Sequence, residues 1–301
     1  RQLWGLVTTM VRTGKPAATG MISSAGFPNG PLQVWLLAPL GWVGASPPAM
    51  TAGVALLNVL AVALTYGFAR DFFGKRVALL SLLLVAINPW AAMLSRRLWG
   101  NDMVAPFAVL SLWMLARWLY RRDGRALVVA AVAIAVVNQL YVVGLEALAT
   151  ATVAAVLAGR RIVSWWALVA ALVYGALAGP YLVGVVVPSA AAALGRVQGA
   201  SASHPVFDLR SATYALELAS NEGYQAFALQ ASARLDAAAS VPLLLGMTQR
   251  GLTIAGLGVG LWAVVRGGGP VRGERRGVHL LMLTAFIVPV ASLARHALPL
   301  Y

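Results

Sequence analysis

The chain opens with Leu3, Leu6, Val7, Met10 and Val11 spaced at i, i+3, i+4, i+7 and i+8, which predicts an amphipathic helix ended by Gly14 and Pro16. Trp4 and the short length of this helix suit a position in the membrane interface. A turn-rich stretch over 17–30 precedes an apolar run over 31–45, which falls short of the roughly 20 residues a crossing needs and is predicted to be re-entrant or interfacial. Apolar stretches then recur at about 49–69, 77–94, 103–120, 126–143, 146–158, 164–187, 251–265 and 278–294, giving about eight candidate crossings. Asn88 and Pro89 predict a kink inside the second of them. The pair of spans over 126–158 is short for its task, because its helical length of about 50 Å must cover roughly 60 Å for two crossings. Its outer turn is therefore expected to sink into the bilayer and carry Asn138, Gln139, Tyr141 and Glu146 below the outer surface. The one long polar stretch, 188–250, is punctuated by Pro188, Gly199 and Pro205 and predicts a small helical region outside the membrane.

Composition agrees with this pattern: 60% of the 301 residues are hydrophobic and 11% are charged, which excludes an ordinary water-soluble domain. The expected fold is all-α, a polytopic transmembrane helix bundle within a single domain. In it, 1–48 form an outer segment with interfacial helices, 49–187 and 251–301 the bundle, and 188–250 an extracytoplasmic helical region. A net charge of +14 would suggest nucleic acid in a soluble protein, but 13 of the 23 Lys and Arg fall in the four short loops 70–76, 117–125, 159–163 and 266–277. That distribution is the positive-inside rule, so the charge follows from topology and no nucleic-acid partner is implied. It puts those loops in the cytoplasm and both ends of the chain outside. The absence of cysteine excludes disulfides, thiolate metal sites and a cysteine nucleophile.

The densest polar constellation is the outer loop 94–103, LSRRLWGNDM, which gathers Arg96, Arg97, Asn101 and Asp102 between two spans. Two guanidiniums at headgroup level can fork onto a phosphate or diphosphate, and a neighbouring carboxylate can orient an acceptor or a divalent cation. In the alternative reading both arginines reach toward lipid phosphates and Asp102 caps the helix that follows. Glu146 is costly inside a membrane without a partner or a wet cavity, which makes it a site candidate and the one feature that favours a secondary transporter or lipid flippase for an anionic substrate. His204, His279 and His296 are too scattered to form a metal cluster, and no zinc, Walker or nucleophile-elbow motif occurs. Gly256, Gly258 and Gly260 fall within an apolar span and are expected to serve close helix packing.

Three strings carry a family resemblance: Phe27-Pro28-Asn29-Gly30-Pro31-Leu32 leading to Trp35, Ala69-Arg70-Asp71-Phe72-Phe73-Gly74-Lys75-Arg76, and Arg96-Arg97 through Asp102-Met103. On these, the chain resembles the GT-C class of polytopic glycosyltransferases, the family that includes protein O-mannosyltransferases and bacterial aminoarabinose and lipopolysaccharide-core sugar transferases. The resemblance implies an integral protein of the bacterial inner (plasma) membrane whose active site faces outside. There it takes a sugar from a polyprenyl-phosphate donor, with inversion, and passes it to a glycan, lipid or protein acceptor. It further implies that the principal acidic base precedes Arg1, that the chain is truncated at both ends, and that Arg1 contacts the donor phosphate. Asp102 matches the second acidic position of the family and is expected to shape the catalytic pocket. Asn29-Gly30 stands where some relatives carry Lys or His, which leaves Lys15 as the substitute contact to phosphate. Asn101, Asn138, Gln139 and Glu146 fall where relatives place pocket residues, and His296 lies in a segment resembling the pocket edge.

Because the chain has no cysteine, single cysteines report sidedness without background. A cysteine at Ser95 is expected to react with a membrane-impermeant maleimide in intact cells, whereas one at Arg122 or Gly268 reacts only after permeabilisation. The reverse pattern would invert the topology read from the basic loops.

Overall fold

The computed structural model describes residues 2–23, 28–44, 46–141, 144, 146–189, 240–266 and 277–287. Helix α1 spans Gln2–Thr13 and buries Leu3 and Val7 while Trp4 stays at the surface. It stops where Gly14 takes a left-handed φ of +65°, a conformation cheap for glycine. The apolar run that follows forms two short helices, α2 (Leu32–Trp35) and α3 (Ala38–Trp42), neither long enough to cross a membrane. Gly41 lets α3 sit directly on α1, since a Cβ there would lie 2.8 and 2.9 Å from methyls of Val7 and Val11.

The bundle follows as α4 (Pro47–Phe73), α5 (Lys75–Ala86), α6 (Pro89–Leu94), a 3-10 turn (Gly100–Met103), α7 (Val104–Arg121), α8 (Gly124–Leu140), α9 (Glu146–Ala158) and α10 (Trp165–Tyr181). Helix α10 contains Pro180 and runs on into a π turn, Leu182–Val186. Two more helices, α11 (Ser240–Arg266) and α12 (Gly277–Ile287), complete the described residues. By length and composition Pro47–Phe73, Gly100–Arg121 and Trp165–Ser189 can cross a membrane, and Gly124–Leu140, Ala147–Ala158 and Gly277–Ile287 are apolar but shorter. The fold is an all-α membrane bundle. At 17 residues, α8 rises only about 26 Å, less than the roughly 30 Å of a hydrocarbon core.

Two expectations change. The stretch 77–94 is not a kinked span: α5 ends at Ala86, and the Asn88 side chain accepts from Ala91 N, 3.0 Å away, to cap a separate α6. A proline after an N-cap asparagine starts a helix more readily than it bends one. Helix α11 begins at Ser240 and not at 251, which takes up the last part of the polar stretch; the rest of that stretch, 190–239, lies outside the described residues. Of the three glycines read as a packing stripe, only Gly260 approaches another described helix, with His279 and Leu283 of α12 at 3.5–3.9 Å from a Cβ there.

Two apolar cores hold the helices together. One joins Phe68 and Phe72 of α4, Leu115, Trp118 and Leu119 of α7, Ala126, Ala130 and Ile134 of α8, and Ala154 and Ala158 of α9, with Val278 and Leu281 of α12. The other joins Leu3 and Val7 of α1 to Val34, Leu37, Met50, Val54, Met103 and Leu140. The alanines of α8 allow the close helix approach on which membrane bundles depend, since lipid supplies no hydrophobic drive between helices.

The basic end of the bundle is knit by two acids. Asp71 of α4 accepts from Trp113 Nε1 at 3.0 Å and lies 3.9 and 3.7 Å from Arg117 and Arg121 of α7. Asp123 caps α8 by accepting from the backbone N–H of Arg125 and Ala126, and pairs with Arg117 at 3.4 Å. Trp113 is thus pinned twice, by Asp71 and by the face of Gly67, where a Cβ would come within 2.6 Å of the indole. Because the ring cannot swing away without losing its hydrogen bond, Gly67→Leu is expected to destabilise the bundle by about 1–3 kcal/mol. Thermal unfolding in detergent should show a lower midpoint for Gly67→Leu and a smaller loss for Gly67→Ala; an unchanged midpoint for the leucine variant would contradict this packing.

Candidate active site

At the end of the bundle opposite the basic loops, the 3-10 turn Gly100–Met103 holds Asp102 under the surface of α4 and α7. The Asp102 side chain is only 4% exposed, yet both of its oxygens are engaged. Arg97 donates from Nε to Oδ2 and from Nη2 to Oδ1, each at 3.2 Å, a forked pair. The guanidinium also lies 4.8 Å above the ring of Trp99, a cation–π contact. Since Asp102 takes one edge of the guanidinium, the edge carrying Nη1 makes no hydrogen bond among the described residues, and the Arg97 side chain remains 41% exposed. A cation fixed in orientation and open on one edge is suited to an oxyanion.

The turn is held from two sides. Asn58, in the middle of α4, donates from Nδ2 to the Asp102 carbonyl at 2.8 Å. On the other side Gly100 faces Gln33 of α2 so closely that a methyl group at Gly100 would fall on the Gln33 amide. Asp102 therefore does not cap α7: Met103 occupies the cap position and makes no side-chain cap bond. The 3-10 geometry turns the carboxylate toward Arg97 instead of toward the first free N–H groups of the helix.

A second polar layer lies beside this pair. The segment before α2 folds back on itself through Gly20 N to Asn29 O and Asn29 N to Met21 O, both 2.8 Å. Its Gly30 rests on the backbone of Gln139 in the last turn of α8. Gln33 donates to the Leu140 carbonyl and accepts from Met21 N, and Tyr181 of α10 donates to the Pro28 carbonyl at 3.2 Å. Asn138 donates to the Tyr174 hydroxyl at 2.8 Å and Gln139 to the Leu177 carbonyl at 2.7 Å. These two amides, 0% and 4% exposed, join α8 to α10. The Oδ1 atoms of Asn138 and Asn101 are buried without a hydrogen-bond partner among the described residues.

The residues read from the sequence thus fall into groups. Arg97 and Asp102 form one unit, with Asn101 next to it in the turn. Arg96 is exposed, and its guanidinium takes part in no ion pair among the described residues. Asn138 and Gln139 lie in the adjoining layer as ties between helices. Lys15 is exposed just after α1, apart from the pair. Glu146 begins α9, but its side chain, like Arg1 and His296, lies outside what the structure describes.

Residues 28–183, slightly more than half of the chain, match the family model for dolichyl-phosphate-mannose-protein mannosyltransferases. The chain belongs to this family. No curated protein and no solved structure matches it significantly. Membership makes the chain an integral-membrane glycosyltransferase of the polyprenyl-phosphate-mannose-dependent kind, and the matched region contains the Arg97–Asp102 unit, Gln33, Asn58, Asn138, Gln139 and Tyr181. Sequence reading passed over Gln33, Asn58, Tyr174 and Tyr181 as site residues. A signal existed for two: Gln33 is the one polar amide in the run 31–45 and Asn58 the one in 49–69. An amide kept in a segment otherwise built for lipid implies a buried partner.

Proposed function

We propose that this mannosyltransferase-family chain moves a sugar from a polyprenyl-phosphate donor to an acceptor on the extracytoplasmic face, with the donor phosphate at Arg97. The observation that carries the reading is the forked Arg97–Asp102 pair, buried on the carboxylate side and open on the Nη1 side, at the end away from the basic loops. Those loops mark the cytoplasmic end by their charge, so the pair faces outside.

In the reaction the bond between the sugar's anomeric carbon and the phosphate oxygen breaks while an acceptor hydroxyl bonds to the opposite face of that carbon. The phosphate leaves with the electron pair. Its growing negative charge is what Arg97 stabilises, and a cation fixed beforehand loses nothing to reorganisation at that moment. Asp102 has both oxygens committed to Arg97, which assigns it to holding the guanidinium and leaves the acceptor proton to another carboxylate. Arg96, exposed one residue earlier, supplies a second positive charge for the carrier phosphate or for neighbouring lipid. Sugar, acceptor class and carrier length are set by contacts beyond this pair. The donor is amphiphilic, and the apolar surfaces of α4 and α5, with Leu56, Leu60, Leu79 and Leu80 exposed, give its polyprenyl chain a lipid-side route.

In membranes containing the full chain and radiolabelled polyprenyl-phosphate mannose, Arg97→Ala and Asp102→Asn are each expected to lower transfer of label by about 100-fold. Both variants should be recovered in amounts close to wild type. Transfer at the wild-type rate in both would overturn the assignment, and label that crosses vesicles without a covalent product would turn the reading to transport.

A further inference from the structure

Gln33 is fully buried, in a helix of four residues, and its amide is used on both sides. Its Oε1 accepts from Met21 N at 2.9 Å, and its Nε2 donates to the carbonyl of Leu140, the last residue of α8. The side chain also lies close to the backbone at two glycines. A Cβ at Gly20 would lie 2.6 Å from Oε1, and the Gly100 backbone lies against the amide itself. Gly100 opens the 3-10 turn that presents Asn101 and Asp102, and Asn58 holds the far side of that turn at the Asp102 carbonyl. The turn is thus clamped between an amide of α4 and an amide of α2. Neither amide is hydrogen-bonded to Arg97; both bear on the turn that carries the carboxylate orienting it.

We propose that Gln33 is a positioning residue for transfer: it fixes the Gly100–Met103 turn against the end of α8, and through Asp102 sets the angle at which Arg97 meets the donor phosphate. The inference rests on the reading of Arg97 as the phosphate contact. The two nearest replacements in size each lose part of the geometry. Leucine has the volume but neither bond, and glutamate retains the acceptor for Met21 N but loses the donor for Leu140 O, placing a carboxylate against a carbonyl. The glycines at 20 and 100 belong to the same device, since either would drive a side chain into the Gln33 amide if enlarged.

The test is a double-mutant cycle in membranes with polyprenyl-phosphate mannose as donor, combining Gln33→Leu with Arg97→Lys, which keeps the charge and loses the fork. Alone, Gln33→Leu is expected to lower kcat/KM for the donor about 10-fold while the KM for the acceptor stays unchanged. In the Arg97→Lys background the same substitution should cost less than 2-fold, because the geometry that Gln33 protects is already lost. Gln33→Glu repeats the comparison should the leucine variant be recovered poorly. Equal losses in both backgrounds would mark Gln33 as a general packing residue and overturn the proposal, and so would full activity of Gln33→Leu. Wild-type activity of Arg97→Lys alone would instead overturn the phosphate reading, and the proposal with it.

Discussion

The backbone at the end of α8 governs much of this structure. The last turn of α8 is buried, with Asn138, Gln139 and Leu140 at 0%, 4% and 0% exposure, so its carbonyl groups end out of reach of water. A helix leaves such groups without partners, and in hydrocarbon each costs several kcal/mol. Gln33 supplies the missing donor at Leu140, Gly30 brings the preceding loop flat against Gln139, and Tyr181 ties that loop to α10. The layer formed by α1–α3 and the loop before α2 is therefore part of the bundle's hydrogen bonding as much as its cover. Its amphipathic helix contributes Leu3 and Val7 to the same core that contains Leu140 and Met103.

The two ends of the bundle use charge in opposite ways. At the basic end Asp71 and Asp123 draw Arg117 and Arg121 inward, and the acids also serve an indole and a helix cap, so the charges fasten α4, α7 and α8. At the other end a single described carboxylate, Asp102, holds a single guanidinium by one edge and leaves the other open. The first arrangement uses its cations to fasten helices; the second leaves the Nη1 edge of an oriented guanidinium without a hydrogen bond among the described residues. In the reading proposed above, that open edge is the one that meets the donor phosphate.

The fold was legible because period and length survive in an apolar chain. The stripe of α1, its stop at Gly14, the failure of 31–45 to form a helix long enough to cross and the short pair over 126–158 all follow from counting. Arg97 and Asp102 were legible together because they are five residues apart in a polar loop. Their orientation was not: whether an acid before a helix caps it or turns to a cation depends on a 3-10 turn that composition does not announce. Asn88 misled in the other direction, since an Asn-Pro step can end one helix and cap the next as well as bend one. Gln33 and Asn58 escaped notice because their partners lie 107 and 44 residues further along the chain. A lone amide in an apolar run reveals that a partner exists without revealing where.

The π turn after Tyr181 has a consequence for how this chain tolerates change. Pro180 removes one helical donor, and the wider turn over Leu182–Val186 accommodates an extra residue without breaking the helix. Taking one residue out of that turn would let it relax to an ordinary α turn while Val187–Ser189 keep nearly the same facing relative to Tyr181, because five residues of the wider turn and four of an α turn both complete roughly one revolution. Such a deletion would leave the Tyr181–Pro28 hydrogen bond in place and would not redirect the chain that leaves the bundle. The turn is thus the point along this helix where the chain can lose one residue and keep its register.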